Sequence, residues 1–395
     1  MSNDLPTYTL IQTTAELEDF VRQHAHVPWM CFDTEFIGEK RYQTLLCLIQ
    51  IASPKGFFLL DPLSDMDLSP FLGMVSNPSI EKITHAGEND FRLLFEQYDT
   101  LPSNVFDTQI AAGMVGYRYP MGFAKLVNAE LSLRLSKGHT VTDWEARPLS
   151  KKQVQYAIDD VRYLHPLRDK LGTQISRLDR QAWVEDEFAR LERARYYERD
   201  PDQDALNSRL MRQVKPRDQV FLLRLYRWRR HQAKQRNHSL EMVLPKKMIA
   251  SIVRAVGAGG KKGLAENRRI SNRITKKYGD TFERMYAQKP RPEELEVLQR
   301  LPEEEEDDPR VETLLELIYQ AVRYRCLEWN IAHELAFPRT ILKSKKVDPE
   351  LEVFQKGWRR DLLGDVLVRW INNIEDLDVQ FGESGICLTS RTAPV

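Results

Sequence analysis

The chain has only four cysteines in 395 residues (Cys31, Cys47, Cys326 and Cys387), and no two of them form a CxxC pair. This excludes a disulfide scaffold and a cysteine-ligated zinc site, and leaves buried free thiols in a reducing cytoplasm as the reading. Long apolar runs are missing too: none approaches the roughly 18 residues of a membrane span. The opening stretch MSNDLPTYTL has no basic start followed by apolar residues, so no signal peptide is expected. No nucleotide-cradling motif is present, since GAGGKKG (257–263) lacks the GK[ST] ending and follows a helix, not a strand. Net charge is absent as well, with 58 Lys and Arg against 58 Asp and Glu.

That neutrality is the sum of two unequal parts. From Leu206 to Lys289 the sequence has 22 Lys and Arg against 5 Asp and Glu, a net +17, which leaves −17 on the remainder. A cationic segment in a neutral chain points to a polyanion, most often nucleic acid. The alternative is a helical domain with a solvated basic face. The length suits two or three domains.

The first 200 residues alternate strand and helix. YTLIQ (8–12) reads as a strand, and Thr13 with Glu16 forms a capping box opening a helix to about Ala25. WMCFDTEF (29–36), LLCLIQIAS (45–53) and GFFLLD (56–61) are β-rich runs with meander spacing. A helix near 68–75, the strand EKITHA (81–86), a helix from Glu88 to Tyr98, the strand NVFD (104–107) and helices at 108–115, 122–131 and 150–171 follow. The pattern predicts an α/β fold, a mixed sheet with helices on its faces. After about Asp200 only helical periodicity remains. It breaks at Pro216, at Pro245 and at the glycine cluster, which reads as a helix–helix turn. The acidic run in PEEEEDD (302–308) reads as a solvated linker, and helices resume from about Val311 to Asn373.

The chemistry lies in acids set into apolar surroundings. Asp33 and Glu35, at i and i+2 on a strand, share one face, where unpaired charges are costly. Asp90 falls in the first turn after EKITHA. Tyr156 and Asp160 are four apart and share a helix face, while Asp159 is turned about 100° away toward solvent. Strand ends and helix starts meet along one edge of such a sheet. Four carboxylates gathered there repel one another unless cations neutralise them, and oxygen ligands select Mg²⁺ or Mn²⁺ over zinc. Two such ions about 3.5–4 Å apart can clamp the attacking and leaving oxygens of a phosphodiester.

DTEF, HAGEND and Tyr156-Ala-Ile-Asp-Asp160 resemble the three motifs of the DEDD exonuclease superfamily, in its tyrosine branch. LLCLIQIA, FDTQIAAGMVG (106–116) and DWEARPLSKKQVQYAIDDVRYL (143–164) are similar to the ribonuclease D family. The basic segment resembles its helical HRDC domain, and GWRRDLLGDVL (357–367) a second, more divergent unit. The resemblance implies a ribonuclease H-like exonuclease domain over 1–200, an HRDC domain over 206–290, an acidic linker over 291–310, a second HRDC-like helical domain over 311–380 and a tail over 381–395. It implies that Asp33, Glu35, Asp90 and Asp160 bind two divalent cations. Asp33 would bridge both, Glu35 and Asp160 would complete the water-activating site, Asp90 would act toward the second ion, and Tyr156 would orient the water. His85 and Asp90 have the H-x₄-D spacing that marks the third motif of the histidine branch. Here it falls in the second motif, so His85 is read as a strand-end residue near the site.

The function implied is a 3′→5′ exoribonuclease acting on tRNA precursors and other small structured RNAs, in the cytoplasm, as a monomer without nucleotide cofactor. A DNA exonuclease and an inert nucleic-acid-binding module are the alternatives. Candidate contacts to nucleic acid are Phe36, His85, Arg229, Arg230, Lys261 and Lys262. On the helix that carries RLYRWRRHQAKQRNH (224–238), the buried stripe is expected to hold Phe221, Leu222 and Leu225, with Trp228 read as core over the alternative of stacking on a base, and the arginines directed at phosphates.

Overall fold

The computed structural model describes residues 5–135, 143–301, 308–339, 354–382 and 385–390. They form two compact units: 1–35 with 46–197 and 305–395, and 36–45 with 198–304.

The first unit is built on a six-stranded sheet. Its strands are β1 (Tyr8–Ile11), β2 (Trp29–Ile37), β3 (Leu45–Ser53), β4 (Gly56–Leu60), β5 (Glu81–Thr84) and β6 (Val105–Asp107), in the order β1-β4-β3-β2-β5-β6. β1 and β4, β2 and β5, and β5 and β6 run parallel, while β3 and β4 are antiparallel, so the sheet is mixed as expected. β3 is nearly all buried because both faces are covered, which explains its unbroken apolar run.

Helix α1 (Thr14–Gln23) starts at the expected capping box: Thr13 Oγ1 accepts from Glu16 N at 3.2 Å and Thr13 N donates back at 3.0 Å. Helices α2 (Ser69–Val75), α3 (Glu88–Tyr98), α4 (Thr108–Met114) and α5 (Phe123–Leu131) follow. The single helix expected over 150–171 is two, α6 (Lys151–Arg162) and α7 (Leu164–Arg177). Pro166 lacks the N–H that would continue the ladder to Arg162. α8 (Gln181–Leu191) closes this part.

The segment expected to hold a second HRDC-like helical domain, 311–380, is helical and clusters with the first unit. Helices Pro309–Glu328, His333–Ala336 and Trp358–Asn372 share one hydrophobic cluster with the sheet and its helices, through Ile318, Val322, Leu335 and the fully buried Trp358. Ala332 N donates to Gly113 O at 2.9 Å, tying this segment to α4. Arg359 reaches Glu187 of α8 at 2.6 and 3.1 Å, and Trp358 Nε1 donates to the same carboxylate at 3.0 Å. Burial pushes the Glu187 carboxyl up, but the Arg359 and Arg190 guanidiniums hold it below its ordinary value. A pattern read along one segment cannot report such long-range pairing. At the expected tail, Leu377–Gly382 (β7) and Gly385–Ser390 (β8) pair antiparallel, and Trp370 Nε1 donates to Ser390 Oγ at 3.1 Å.

The second unit is helical. Helix Pro216–Arg236 buries Phe221, Leu222 and Leu225, and Trp228 packs edge-on against Tyr278 and Phe282 at 4.8 and 5.0 Å, so it belongs to the core. The span Lys246–Glu266 is two helices joined at Gly259–Gly260, whose backbone is non-helical, so the glycine cluster is the expected helix–helix turn. Helix Asn272–Ala287 follows. The expected linker over 291–310 contains a further helix, Pro292–Gln299. Its fully buried Glu294 pairs with Arg224 at 2.6 and 2.7 Å, an attachment the local sequence does not reveal. The acidic residues 302–307 lie outside the described residues. Residues 36–45 belong here too: Asn237 Oδ1 accepts from Tyr42 N and Gln43 N at 3.2 and 2.9 Å, and Ser239 N donates to Lys40 O at 3.0 Å.

Removing Arg359 takes from buried Glu187 its most enclosed partner and leaves Arg190 and Trp358. Arg359→Leu is therefore expected to destabilise the first unit, by less than the about 3–5 kcal/mol that a fully unpaired buried charge costs, measured by urea denaturation. An unchanged midpoint would show that the Glu187 pair does not hold the C-terminal segment.

Candidate metal centre

Side chains alternate along β2, so Phe32 and Thr34 share one face and Asp33 and Glu35 the other. α3 covers the first face, where Phe91 meets Phe32 at 5.6 Å between ring centroids. α6 supplies Asp160 and Tyr156. It is held by a capping box at Ser150, whose Oγ accepts from Gln153 N at 3.3 Å while Gln153 Oε1 accepts from Ser150 N at 2.9 Å.

One carboxylate oxygen from each of Asp33, Glu35 and Asp160 lies within 4.8 Å of the others. Asp90, buried in the first turn of α3, stands outside this triad and accepts a hydrogen bond from Thr34 Oγ1. Its turn is specified by backbone geometry. Ala86 adopts a positive φ of 57°, and a Cβ on Gly87 would meet Thr84 Oγ1 at 2.5 Å. Asp107 then fastens the turn, its Oδ2 accepting from Gly87 N at 2.8 Å.

The acids crowd one another electrostatically. Burial, then Asp90, Asp160 and Glu35, push the Asp33 carboxyl well above the usual carboxylate range. Burial with Asp160 and Asp90 pushes Glu35 up to about 8. Burial raises Asp160 to about 7 against the opposing hydrogen bond from the Tyr156 hydroxyl, and raises Asp90 to about 6 against the bond from Thr34. The Tyr156 hydroxyl is itself driven upward by burial and by these three neighbours, Asp160, Glu35 and Asp33. Such a set is stabilised by positive charge, and its ligands are all oxygen. It fits a hard divalent cation.

The fold brings together all five residues expected at the centre. Asp159 turns aside, accepting from Gln155 Nε2 at 3.0 Å. Two residues were missed, Thr34, which donates to Asp90, and Gln50. Gln50 on β3, fully buried, donates from Nε2 to Asp33 Oδ2 at 2.7 Å. Its signal was present in LLCLIQIAS, as the single amide in a buried strand.

The expected nucleic-acid contacts divide. Phe36, next to Glu35, is 39% exposed. His85 is engaged by the fold: Nε2 lies 2.9 Å from Met121 O and Nδ1 2.9 Å from Thr108 Oγ1, and burial pushes its pKa down. Arg229 is buried, donating to Leu244 O at 2.6 Å and pairing with Glu241 at 2.5 Å, so it is not a phosphate ligand. A helical position facing the core cannot be told from its neighbours by residue type alone. Arg230 donates to Pro201 O and pairs with Asp204 at 3.6 Å. Lys261 pairs with Asp280 at 2.6 Å, while the Lys262 side chain is 86% exposed.

Residues 8–176 match the family model described as a 3′-5′ exonuclease. Ribonuclease D of Nitrobacter hamburgensis is 34% identical over 246 residues, 62% of this chain and 64% of that protein. Ribonuclease D of Pseudomonas paraeruginosa is 29% identical over 369 residues, 92% of this chain and 97% of that one. Among solved structures, Escherichia coli RNase D, described as an exoribonuclease involved in structured RNA processing, superposes with a TM-score of 0.78 at 26% identity, covering 93% of this chain and 99% of that chain.

Protons and cations compete for these carboxylates. Their folded-state pKa values are raised, so in EDTA their contribution to stability falls as pH rises from about 4, the unfolded value, through 6 to 8. The increase in Tm on adding Mg²⁺ is therefore expected to grow between pH 6 and 8 in scanning calorimetry. A pH-independent increase would mean that the ion binds elsewhere.

Proposed function

We propose that this chain, which is similar to ribonuclease D proteins over most of its length, is a 3′–5′ exoribonuclease that shortens RNA one nucleotide at a time from a free 3′ hydroxyl, releasing 5′-monophosphates. The observation that carries the mechanism is the convergence of Asp33, Glu35 and Asp160 within 4.8 Å, with Asp90 beside them. We assign these four acids as the ligands of two divalent cations, Mg²⁺ or Mn²⁺. When bound, such a pair supplies Lewis-acid stabilisation of phosphoryl oxygens and an acidified water.

The chain's own residues do the rest. The strand and two helices hold the carboxylates at fixed positions, so little reorganisation is needed when charge develops. Tyr156 keeps its proton at neutral pH, because its neighbours are negative and its environment is dry. Its one hydroxyl hydrogen is donated to Asp160, which leaves its oxygen to accept from a water beside it, so it orients without acting as a base. Phe36, exposed next to Glu35, offers a face for the terminal base.

The substrates proposed are tRNA precursors and other small structured RNAs, in keeping with the structured-RNA role of the Escherichia coli relative. The exposed cations Lys247, Arg254, Lys262, Arg268, Arg269, Arg273 and Lys276 of the helical unit would hold phosphates without reading sequence. We take the working form to be a cytoplasmic monomer. No helix among the described residues is long and apolar enough to cross a membrane.

A digest of 5′-labelled RNA and DNA oligomers, with free or blocked 3′ ends and with or without EDTA, tests the reading. RNA with a free 3′ end and a divalent ion is expected to shorten stepwise; degradation of blocked ends or in EDTA would overturn it. Asp33→Asn is expected to lose more activity than the about 10–100-fold that loss of an outer partner costs, with its fold intact by circular dichroism. Tyr156→Phe is expected to slow turnover while leaving metal affinity unchanged. An equal loss of both would make the tyrosine structural.

A further inference from the structure

Two buried donors next to the acids have no role in the chemistry just described. Gln50 sits in the most enclosed strand of the sheet with no exposed surface. Its Nε2 donates to Asp33 Oδ2 at 2.7 Å, and its Oε1 has no hydrogen-bond partner. Turning the amide over would set oxygen against carboxylate oxygen, so the NH₂ end must face Asp33. A buried amide left half satisfied is unfavourable in a core, and the structure offers Asp33 as the reason for keeping it. Thr34 is 5% exposed, on the face of β2 covered by α3. Its Oγ1 donates to Asp90 Oδ1. Thr34 thus connects the strand that carries Asp33 and Glu35 to the helix that carries Asp90.

We infer that Thr34 and Gln50 are positioning residues, each holding one carboxylate oxygen so that Asp90 and Asp33 stand in ligand orientation before any cation arrives. This rests on the reading of the four acids as divalent-cation ligands. A carboxylate free to rotate about its last bond would turn away from its like-charged neighbours in the absence of metal. A neutral donor anchored in a strand prevents that rotation. It adds no charge, and so it leaves the affinity of the set for a doubly charged ion intact. The two donors serve different acids. Gln50 acts on the triad member Asp33, and Thr34 acts on Asp90, which lies outside the triad. Loss of Thr34 should therefore weaken one ion selectively, whereas loss of Gln50 should weaken binding at the triad.

Mn²⁺ binding to the full-length protein, followed by electron paramagnetic resonance of the free ion, tests this alongside the Mn²⁺ concentration dependence of RNA cleavage. Wild type is expected to bind two ions. Thr34→Val, close in shape, is expected to retain one and to weaken the other by about 10–100-fold, with cleavage recovering at high Mn²⁺. Thr34→Ser, which restores the hydroxyl, is expected to bind nearly as wild type. Gln50→Met is expected to lose affinity at the triad. Calorimetric Tm values in EDTA report folding independently. Unchanged Mn²⁺ isotherms in Thr34→Val and Gln50→Met would overturn the inference, as would an equal loss in Thr34→Val and Thr34→Ser, which would point to packing alone. If wild type bound no Mn²⁺ and Asp33→Asn behaved identically, the ligand reading itself would fall.

Discussion

Like charges held within a few ångströms in a dry environment push apart, and the catalytic unit is organised around resisting that push. Asp33, Glu35 and Asp160 converge to 4.8 Å, and all are raised above the usual carboxylate range. The relief that side chains would find by moving is denied by the elements that carry them. β2 is an inner strand with neighbours on both sides. α6 begins at a closed capping box. The turn before α3 combines a positive φ at Ala86 with a glycine that admits no Cβ. Asp107 extends the same logic, its other oxygen accepting from Gln109 N and Ile110 N to start α4. One acid, outside the metal centre, thus fastens the starts of two helices.

The parts of this arrangement that follow local rules were legible in the sequence. The strands alternate or run apolar, the helices show caps, and the site acids stand out because charge interrupts apolar segments in a fixed order. What depends on distant pairing was not. Helix Pro292–Gln299 sits where an acidic linker was expected because Arg224, about 70 positions earlier, buries Glu294. Nothing local in the second helical segment says that Arg359 reaches Glu187, 172 positions away. Gln50 and Thr34 were both inside quoted motifs. Nothing in the order of residues says that one faces Asp33 and the other Asp90, since that depends on which helix covers which face of β2.

Charge in the basic segment shows the same limit in a different form. Its excess of 22 cations over 5 acids reads as a surface for a polyanion. Part of it is internal: Arg224 and Arg229 are buried, and Arg224 and Arg227 pair with Glu294 and Asp202, which lie outside the segment counted. A salt slope measured on RNA binding therefore reports only the outward cations, and a count of basic residues overstates it.

The donors on Asp33 and Asp90 bear on why the centre uses neutral partners. A Lys or Arg against these acids would lower their pKa values as a metal does, and would stabilise the empty site. It would also compete with the ion for the same negative charge. An amide and a hydroxyl hold orientation while leaving the electrostatic deficit in place. A guanidinium–carboxylate pair at the end of β4 illustrates the contrast. Arg147 binds Asp61 through two contacts of 2.7 Å, and this hydrogen-bonded pair overcomes the upward push of burial and holds the Asp61 carboxyl below its ordinary value. Asp61 is thereby committed to structure. The four acids of the centre have no such partner among the described residues, and their raised pKa values keep a standing affinity for cations. The fold uses cationic side chains where a carboxylate must stay fixed, and uncharged donors where it must remain available.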